Sequence, residues 1–136
     1  MHMNDNLERE RVNRLCYTIR GAFFEVFKEL GPGLMECIYE EALMLELDDR
    51  GLAVKAQAPL TVRYKGRTLR NKLRLDLLVE DTVVVELKSV AELNPVCFKQ
   101  IITYLRLSGA PVGFLVNFNS PLLEDRKSLF RIVHNF

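Results

Sequence analysis

The sequence feature that most constrains the fold is the short run Val83-Val84-Val85-Glu86-Leu87, which is apolar at every position but one. A strand with one solvent face alternates apolar and polar residues, whereas a strand covered on both faces is almost continuously apolar. This run therefore predicts an α/β protein in which residues 82–88 form a covered strand. Glu86 is then a charged residue at a position where the pattern predicts burial.

Two helices are predicted ahead of the strands, because apolar residues recur at three- and four-residue steps. The first is an amphipathic helix of about six turns, which begins near Asp5 with Glu8 three residues later, and ends at Gly31-Pro32-Gly33. The second covers residues 34–50 and stops at Gly51.

The rest of the chain is predicted to consist of strands with one further helix. Lys65-Gly66 and Glu80-Asp81 are turn signals between extended runs, and Asn94-Pro95 is typical of a helix start. The predicted strands are residues 53–64, 67–79, 82–88, 112–117 and 129–133, with a helix over 95–108. The order is α-α-β-β-β-α-β-β, a mixed β-sheet flanked by helices. A chain of 136 residues supports one sizeable core, so a single domain over residues 1–136 is expected.

Composition narrows the class of protein further. Nineteen Lys and Arg against eighteen Asp and Glu give a net charge of +1, which argues against a strongly basic protein that coats nucleic acid. The apolar runs are far shorter than the roughly 20 residues of a membrane span, so no membrane partner is expected. Three well-separated cysteines, Cys16, Cys37 and Cys97, are interpreted as buried, reduced thiols of a cytoplasmic protein. Residues 1–3 are interpreted as a cloning remnant that ends at a native Met3.

Acidic residues on two predicted strands interrupt the apolar pattern. The turn at residues 80–81 makes these strands antiparallel neighbours, so Asp76 and Glu86 can approach each other, and Lys88 shares a face with Glu86. Two convergent carboxylates form a site for Mg²⁺ or Mn²⁺, and a nearby lysine can orient a water molecule or help to deprotonate it. The alternative, given equal weight, is a buried structural Glu–Lys pair with a neighbouring Asp.

Two further polar sets lie on predicted helices. Glu36 shares a face with Tyr39 and, further along, with Leu43 and Leu47. It is either a third acidic group for a metal or, as the residue alone favours, a first-turn Glu stabilised by the helix dipole. Gln100 and Tyr104 are four residues apart and stack on one helix face, where they either hold a phosphate or water or form a partly exposed pair.

These residues also match known motifs. Gly33-Leu34-Met35-Glu36-Cys37-Ile38-Tyr39 has the pattern GxxExxY, Asp76 followed by Glu86-Leu87-Lys88 has the pattern of PD-(D/E)xK nucleases, and Gln100-Ile101-Ile102-Thr103-Tyr104 looks like the QxxxY element of RecB-type members. Over residues 21–135 the chain resembles the small GxxExxY protein family, in the PD-(D/E)xK nuclease superfamily. The resemblance implies an α-β-β-β-α-β core, an order that the elements above contain. Cys97 stands where members of the family often carry His.

The resemblance implies a metal-dependent phosphodiesterase site. In such a site Asp76 and Glu86 bind Mg²⁺ or Mn²⁺, and Glu36 adds an acidic group directly or through water. Lys88 positions the attacking water and stabilises charge that develops on the phosphate. Gln100 and Tyr104 orient substrate or water, so the expected catalytic residues are Lys88, Glu36, Gln100 and Tyr104.

Six cations lie close together on the predicted hairpin, with no acid among them. Lys72 and Arg74 share strand parity with Asp76, so part of this ribbon is expected to face the site and to follow a phosphate backbone. An ordinary solvated hairpin is the alternative. The six candidate nucleic-acid-binding residues are Arg63, Lys65, Arg67, Arg70, Lys72 and Arg74.

The leading hypothesis is therefore a Mg²⁺-dependent nuclease that hydrolyses phosphodiester bonds in DNA. The alternatives are a non-catalytic interaction module with a nuclease fold and a nucleic-acid-binding accessory protein. One small domain has one active site and cuts one strand, so a homodimer is expected.

Overall fold

The expected order of helices and strands is confirmed. A computed structural model describes residues 3–136, so residues 1 and 2 of the interpreted cloning remnant lie outside the described residues. The elements are α1 (Met3–Leu30), α2 (Glu36–Asp49), β1 (Val54–Tyr64), β2 (Arg67–Val79), β3 (Val83–Lys88), α3 (Pro95–Ser108), β4 (Val112–Asn117) and β5 (Leu129–Val133).

Both N-terminal helices differ from the prediction at their starts. Helix α1 is 28 residues long, about eight turns, because its largely exposed first turns are helical without apolar periodicity and carry local pairs such as Glu8 with Arg11 at 2.8 Å. Helix α2 begins at Glu36 rather than at residue 34. Gly33 has a φ of +95° and Met35 is extended, so the chain turns there before the helix can start.

The five strands form one mixed sheet in the order β1-β2-β3-β4-β5. Only β3 and β4 are parallel, and α3 provides the crossover between them. One core cluster packs α1 and α2 against one face of the sheet, and a second packs Tyr104 and Leu105 of α3 against the other. Residues 83–87 of β3 are all buried, so the prediction of a strand covered on both faces is confirmed.

The β1–β2 hairpin twists where Gln57 lies opposite Asp76. Gln57 has a φ of +51°, and this pair is missing from a register that continues on either side of it. On one side of the twist, Leu77 packs in the cluster of α1 and α2, whereas Leu75 on the other side packs in the cluster of α3. The twist therefore leaves the backbone around Asp76 outside the regular ladder.

The cysteine prediction is confirmed at one position only. Cys16 is buried in the core, but Cys37 is exposed and Cys97 is half-buried, so the prediction of three buried thiols is wrong. The reason is helical geometry, because Cys37 lies on the side of α2 away from the buried stripe that begins at Tyr39. Within residues 3–136, no helix combines the length and the apolar character that crossing a bilayer requires.

Helix α3 is fixed at both ends and lies close to the sheet. The Asn94 side chain accepts hydrogen bonds from the backbone N–H groups of Val96 and Cys97, at 2.8 and 3.3 Å, and Gly109 caps the other end with a φ of +76°. Gly113 of β4 faces the helix. A Cβ atom there would meet Ile101 at 3.0 Å and Leu105 at 3.1 Å, so the glycine permits the close approach.

We predict that Gly113→Val destabilises the protein by about 1–3 kcal/mol, because the added Cβ and its two methyl groups overfill the contact with α3. Chemical unfolding followed by circular dichroism measures the change. The control is Thr61→Val on the exposed side of β1, for which a change within about 0.5 kcal/mol is expected. Equal stabilities of the two variants would contradict the close packing of α3.

Candidate active site

Asp76 and Glu86 lie side by side where β2 and β3 separate. The last paired residues of the two strands are Leu77 and Val85, and beyond them the carboxylates replace the backbone ladder. The backbone N–H of Leu87 donates to Asp76 Oδ2 at 2.8 Å, and the backbone N–H of Asp76 donates to Glu86 Oε1 at 3.2 Å. Each acid thus accepts a hydrogen bond from a backbone N–H group of the site. The structure brings Asp76 and Glu86 together, as the sequence predicts.

Glu86 is almost fully buried, with 3% of its surface exposed. The pKa of this carboxyl is raised to about 9, chiefly by burial and then by the negative charge of Asp76, while the nearby Lys88 acts in the opposite direction. A carboxylate in this position is therefore costly to ionise without a cation beside it.

Lys88 lies one strand repeat beyond Glu86 and is half-buried. None of the ion pairs found within residues 3–136 includes Lys88, Glu86 or Asp76. The geometry therefore disfavours the structural alternative of a buried Glu–Lys pair. It leaves the ammonium group close enough to influence Glu86 but free to contact another group.

The GxxExxY segment forms hydrogen bonds with Ser89, the residue that follows Lys88. Glu36 Oε1 accepts a hydrogen bond from the backbone N–H of Ser89 at 3.2 Å, and Ser89 Oγ donates to the carbonyl of Leu34. Tyr39 is fully buried, and its hydroxyl donates to the Gly31 carbonyl at 2.6 Å. The glycine turn, the acid and the tyrosine therefore form one brace against the end of β3.

The position of Glu36 corrects one expectation. It does not interrupt a buried stripe: Tyr39, Leu43 and Leu47 are buried, whereas Glu36 is exposed because it is the first residue of α2, beside the end of β3. Within residues 3–136 no group of three His, Cys, Asp or Glu side chains converges as a metal site. Asp76 and Glu86 are brought together, and Glu36 lies apart from them on the wall of the same cavity as Asp76.

That cavity, of about 450 Å³, opens between α2 and the separated strands. It reveals residues that the sequence interpretation missed. Gln57 lines it beside Asp76 and donates to the Glu40 carboxylate at 3.2 Å, and Ser89 lines it beside Glu36. The alternation of β1 gave no sign that Gln57 leaves the regular strand, although the Glu36–Glu40 spacing does place both acids on one face of α2.

Gln100 and Tyr104 form the predicted pair on α3, with Gln100 Nε2 donating to Tyr104 Oη at 2.9 Å. Burial raises the pKa of the Tyr104 hydroxyl, and the charges of Glu86 and Asp76 raise it further. Tyr104 therefore lies within electrostatic range of both acids, on the α3 side of the sheet.

All six hairpin cations are exposed, beyond the part of β2 that pairs with β3. The prediction that Lys72 and Arg74 face the same side of β2 as Asp76 agrees with the packing of the residues between them. Leu73 and Leu75 pack toward α3, so by alternation Lys72 and Arg74 face the side on which α2 and its cavity lie. Asp76 lines that cavity, so Lys72 and Arg74 lie on the same side of β2 as Asp76, which is what strand parity predicts.

The donor set fits a divalent cation. Two adjacent oxygen-only ligands, one of them buried with no ion-pair partner among residues 3–136, suit a hard cation such as Mg²⁺ or Mn²⁺. A cation beside Glu86 would also stabilise the ionised carboxylate, and would therefore counteract the effect of burial, which raises the pKa of Glu86.

A mixed sheet covered by helices, with paired carboxylates and a lysine at the end of its central strand, defines an α/β protein of the nuclease-like class. The family model described as PD-(D/E)XK nuclease superfamily matches residues 13–130, and the chain belongs to that superfamily. Nucleases of this superfamily act on nucleic acid and generally use divalent metal ions. Comparisons with curated proteins and with solved structures give no significant match.

We predict that the metal-free protein loses stability as the pH rises, because of Glu86. The folded-state pKa of about 9 lies above the ordinary value of 4.5, so the stabilisation is complete below about pH 4.5 and is lost as the pH approaches 9. With a metal chelator present, the melting temperature of wild type should fall relative to that of Glu86→Gln as the pH rises from about 4.5 to about 9.

The control is Glu29→Gln at an exposed position of α1, which should run parallel to wild type. If the Glu86→Gln curve also runs parallel to wild type, the carboxyl is ionised at no cost and the described burial is contradicted.

Proposed function

We propose that this protein is a Mg²⁺-dependent nuclease that hydrolyses phosphodiester bonds in DNA, with Mn²⁺ as a substitute ion. The observation that carries the proposal is the pairing of the half-buried Asp76 with the buried Glu86. Neither acid has an ion-pair partner among residues 3–136, and both lie near Lys88 in a chain of the nuclease superfamily. We also propose that the protein belongs to the GxxExxY group, a proposal supported by the contacts of Glu36 and Tyr39. We further propose that residues 1–136 form one domain and that the protein is cytoplasmic.

Asp76 and Glu86 hold the cation in this proposal. When bound, the cation supplies a Lewis acid for the phosphate group and lowers the pKa of a nearby water molecule. The carboxylate oxygens that do not accept backbone N–H groups remain for this purpose, since each acid uses one oxygen in the hydrogen bonds at the separated strands.

Lys88 positions the attacking water and stabilises negative charge on the phosphate. Its ammonium group has no ion-pair partner among the described residues 3–136, so its donors remain for substrate. Glu36 contributes an acidic group from across the cavity, through water, and fixes Ser89 directly after Lys88. Gln100 and Tyr104 orient water or substrate from the α3 side as a hydrogen-bonded pair.

The hairpin binds the phosphate backbone on the side of the cavity. Its cations are exposed and lie on a ribbon that extends beyond the rest of the sheet, which suits contact with a long polyanion. Because one site cuts one strand, we propose that the protein acts as a homodimer.

The catalytic proposal is tested by incubating plasmid, linear duplex and single-stranded DNA with Mg²⁺ or Mn²⁺. Glu86→Ala and Lys88→Met should each reduce the cleavage rate by about 100-fold or more, as expected when a ligand or a charge-stabilising group is removed. Lys28→Met, an exposed lysine on α1, is the matched control and should cleave like wild type. Activity that survives in both site variants would contradict the assignment of the site.

Calorimetric titration with Mn²⁺ distinguishes the alternative of a non-catalytic module. Wild type should bind the ion, and Asp76→Asn should bind it at least about tenfold more weakly, since a charged ligand is lost. Absence of binding at millimolar Mn²⁺ in wild type would favour the module.

The hairpin proposal is tested by the salt dependence of DNA affinity. Each phosphate contact contributes about 0.9 to the slope of log K against log salt for duplex DNA, so Arg70→Gln with Lys72→Gln should reduce the slope by about 2. Fluorescence anisotropy with labelled DNA measures it. Arg14→Gln with Lys28→Gln on α1 removes the same charge from another exposed surface. Equal slopes for the two double variants would place the DNA elsewhere.

A further inference from the structure

A second cavity, of about 360 Å³, lies beyond the ends of β3 and β4. The loop after β3, the first turn of α3 and the segment between β4 and β5 form its walls. Its polar and aromatic lining includes Glu92, Phe98, Asn117, Asn119, Lys127 and Phe130. None of these residues has a part in the nuclease proposal.

The cavity is on the same face of the sheet as Glu86 and Lys88. Residues opposite each other on paired strands share a face: Lys88 is opposite Asn117, while Glu86 is opposite Leu115, which is opposite Phe130. With about 4.8 Å between neighbouring strands, the backbone of Phe130 lies about 10 Å from that of Glu86. A nucleic-acid strand that crosses the site from β3 toward β5 therefore reaches the cavity within a few nucleotides.

Two phenylalanine rings form the apolar part of the cavity. Phe98 and Phe130 pack edge to face, with ring centroids 4.8 Å apart and planes at 87°. Both side chains are half-buried, so each leaves part of its ring uncovered. Uncovered aromatic faces next to a phosphate-binding site are the surfaces on which unpaired bases stack.

The polar part of the cavity favours a base over a phosphate. Glu92 would repel a phosphate but can accept a hydrogen bond from an exocyclic amino group, and Lys127 is already paired with Glu124 at 3.2 Å. Asn117 is buried and its oxygen accepts from the backbone N–H of Val90 at 3.1 Å, so this wall is fixed in place. The volume is at the lower end of the roughly 300–1,000 Å³ of small-ligand pockets.

We propose that this cavity receives an unpaired nucleobase of the substrate strand, close to the bond that is cut. The inference rests on the proposed nuclease function and specifies its substrate: a single-stranded or frayed segment, of DNA or RNA. A base inside a duplex is stacked and paired, and it reaches the cavity only after leaving the stack.

The test measures binding of a single-stranded oligonucleotide that carries 2-aminopurine, with Mg²⁺ and in a Lys88→Met background that slows cleavage. Phe98→Leu and Phe130→Leu keep an apolar side chain and remove the ring. Each should weaken single-strand affinity by about 10-fold, from the loss of one stacking contact, and abolish the fluorescence change of the probe. Affinity for the matching duplex should not change.

Phe24→Leu makes the same change in a half-buried ring on the opposite face of the sheet, and is the control. DNA and RNA oligonucleotides of one sequence are compared, and a loss of affinity for either supports the proposal. The larger loss shows whether the bound strand is DNA or RNA.

Single-strand affinity that is equal in the leucine variants and the parent would overturn the proposal. So would an equal loss for single strand and duplex, or a parent protein that does not bind single strands. Failure of the nuclease proposal gives a different result. In that case the protein with Lys88 intact does not cleave DNA, but it still binds the unpaired base, and the leucine variants still lose this binding.

Discussion

At one point of the sheet, side-chain carboxylates replace backbone carbonyls as hydrogen-bond acceptors, and the rest of the structure depends on this exchange. Where β2 and β3 separate, buried backbone N–H groups need acceptors, and Asp76 and Glu86 provide them. The twist opposite Gln57 makes this necessary, because it takes Asp76 out of the regular ladder. The separation of β2 from β3, the burial of Glu86 and the opening of the cavity beside α2 therefore have one structural cause.

A second set of contacts links the parts of the proposed site that are far apart in sequence. Ser89 holds the start of α2 through Glu36 and Leu34, and the next residue, Val90, is held by the Asn117 side chain through both its N–H and its carbonyl. The end of β3 is thus fixed from α2 on one side and from β4 on the other. Lys88 directly precedes this junction and is positioned by it, and none of the ion pairs in the described part of the chain includes Lys88.

Sequence patterns predict most of the fold and only part of the site. The apolar run in β3, the helical periodicity of α1 and the Asn94-Pro95 start of α3 report burial and local backbone geometry, which depend on residue order alone. Turn geometry at Glu80-Asp81 likewise brings Asp76 and Glu86 together. Strand parity also places Lys72 and Arg74 on the side of Asp76, but it gives no sign of the positive φ of Gln57, which interrupts the register of β1 and β2. Gln57 and Ser89 were missed for the related reason that their roles arise from contacts between distant elements.

The electrostatics of the site also explain why net charge is a poor guide to this protein. A chain with a charge of +1 has no general attraction for a polyanion, yet six cations are concentrated on one exposed ribbon. The acids that balance them in the total are not equivalent: Glu86 is buried and resists ionisation, while Glu8, Glu46 and Glu124 form local pairs on helices and loops. A cation bound at Asp76 and Glu86 would add positive charge where the sequence count records two acids. The local field that a phosphate meets is therefore set by the positions of these groups, and a neutral total is compatible with a strongly attractive site.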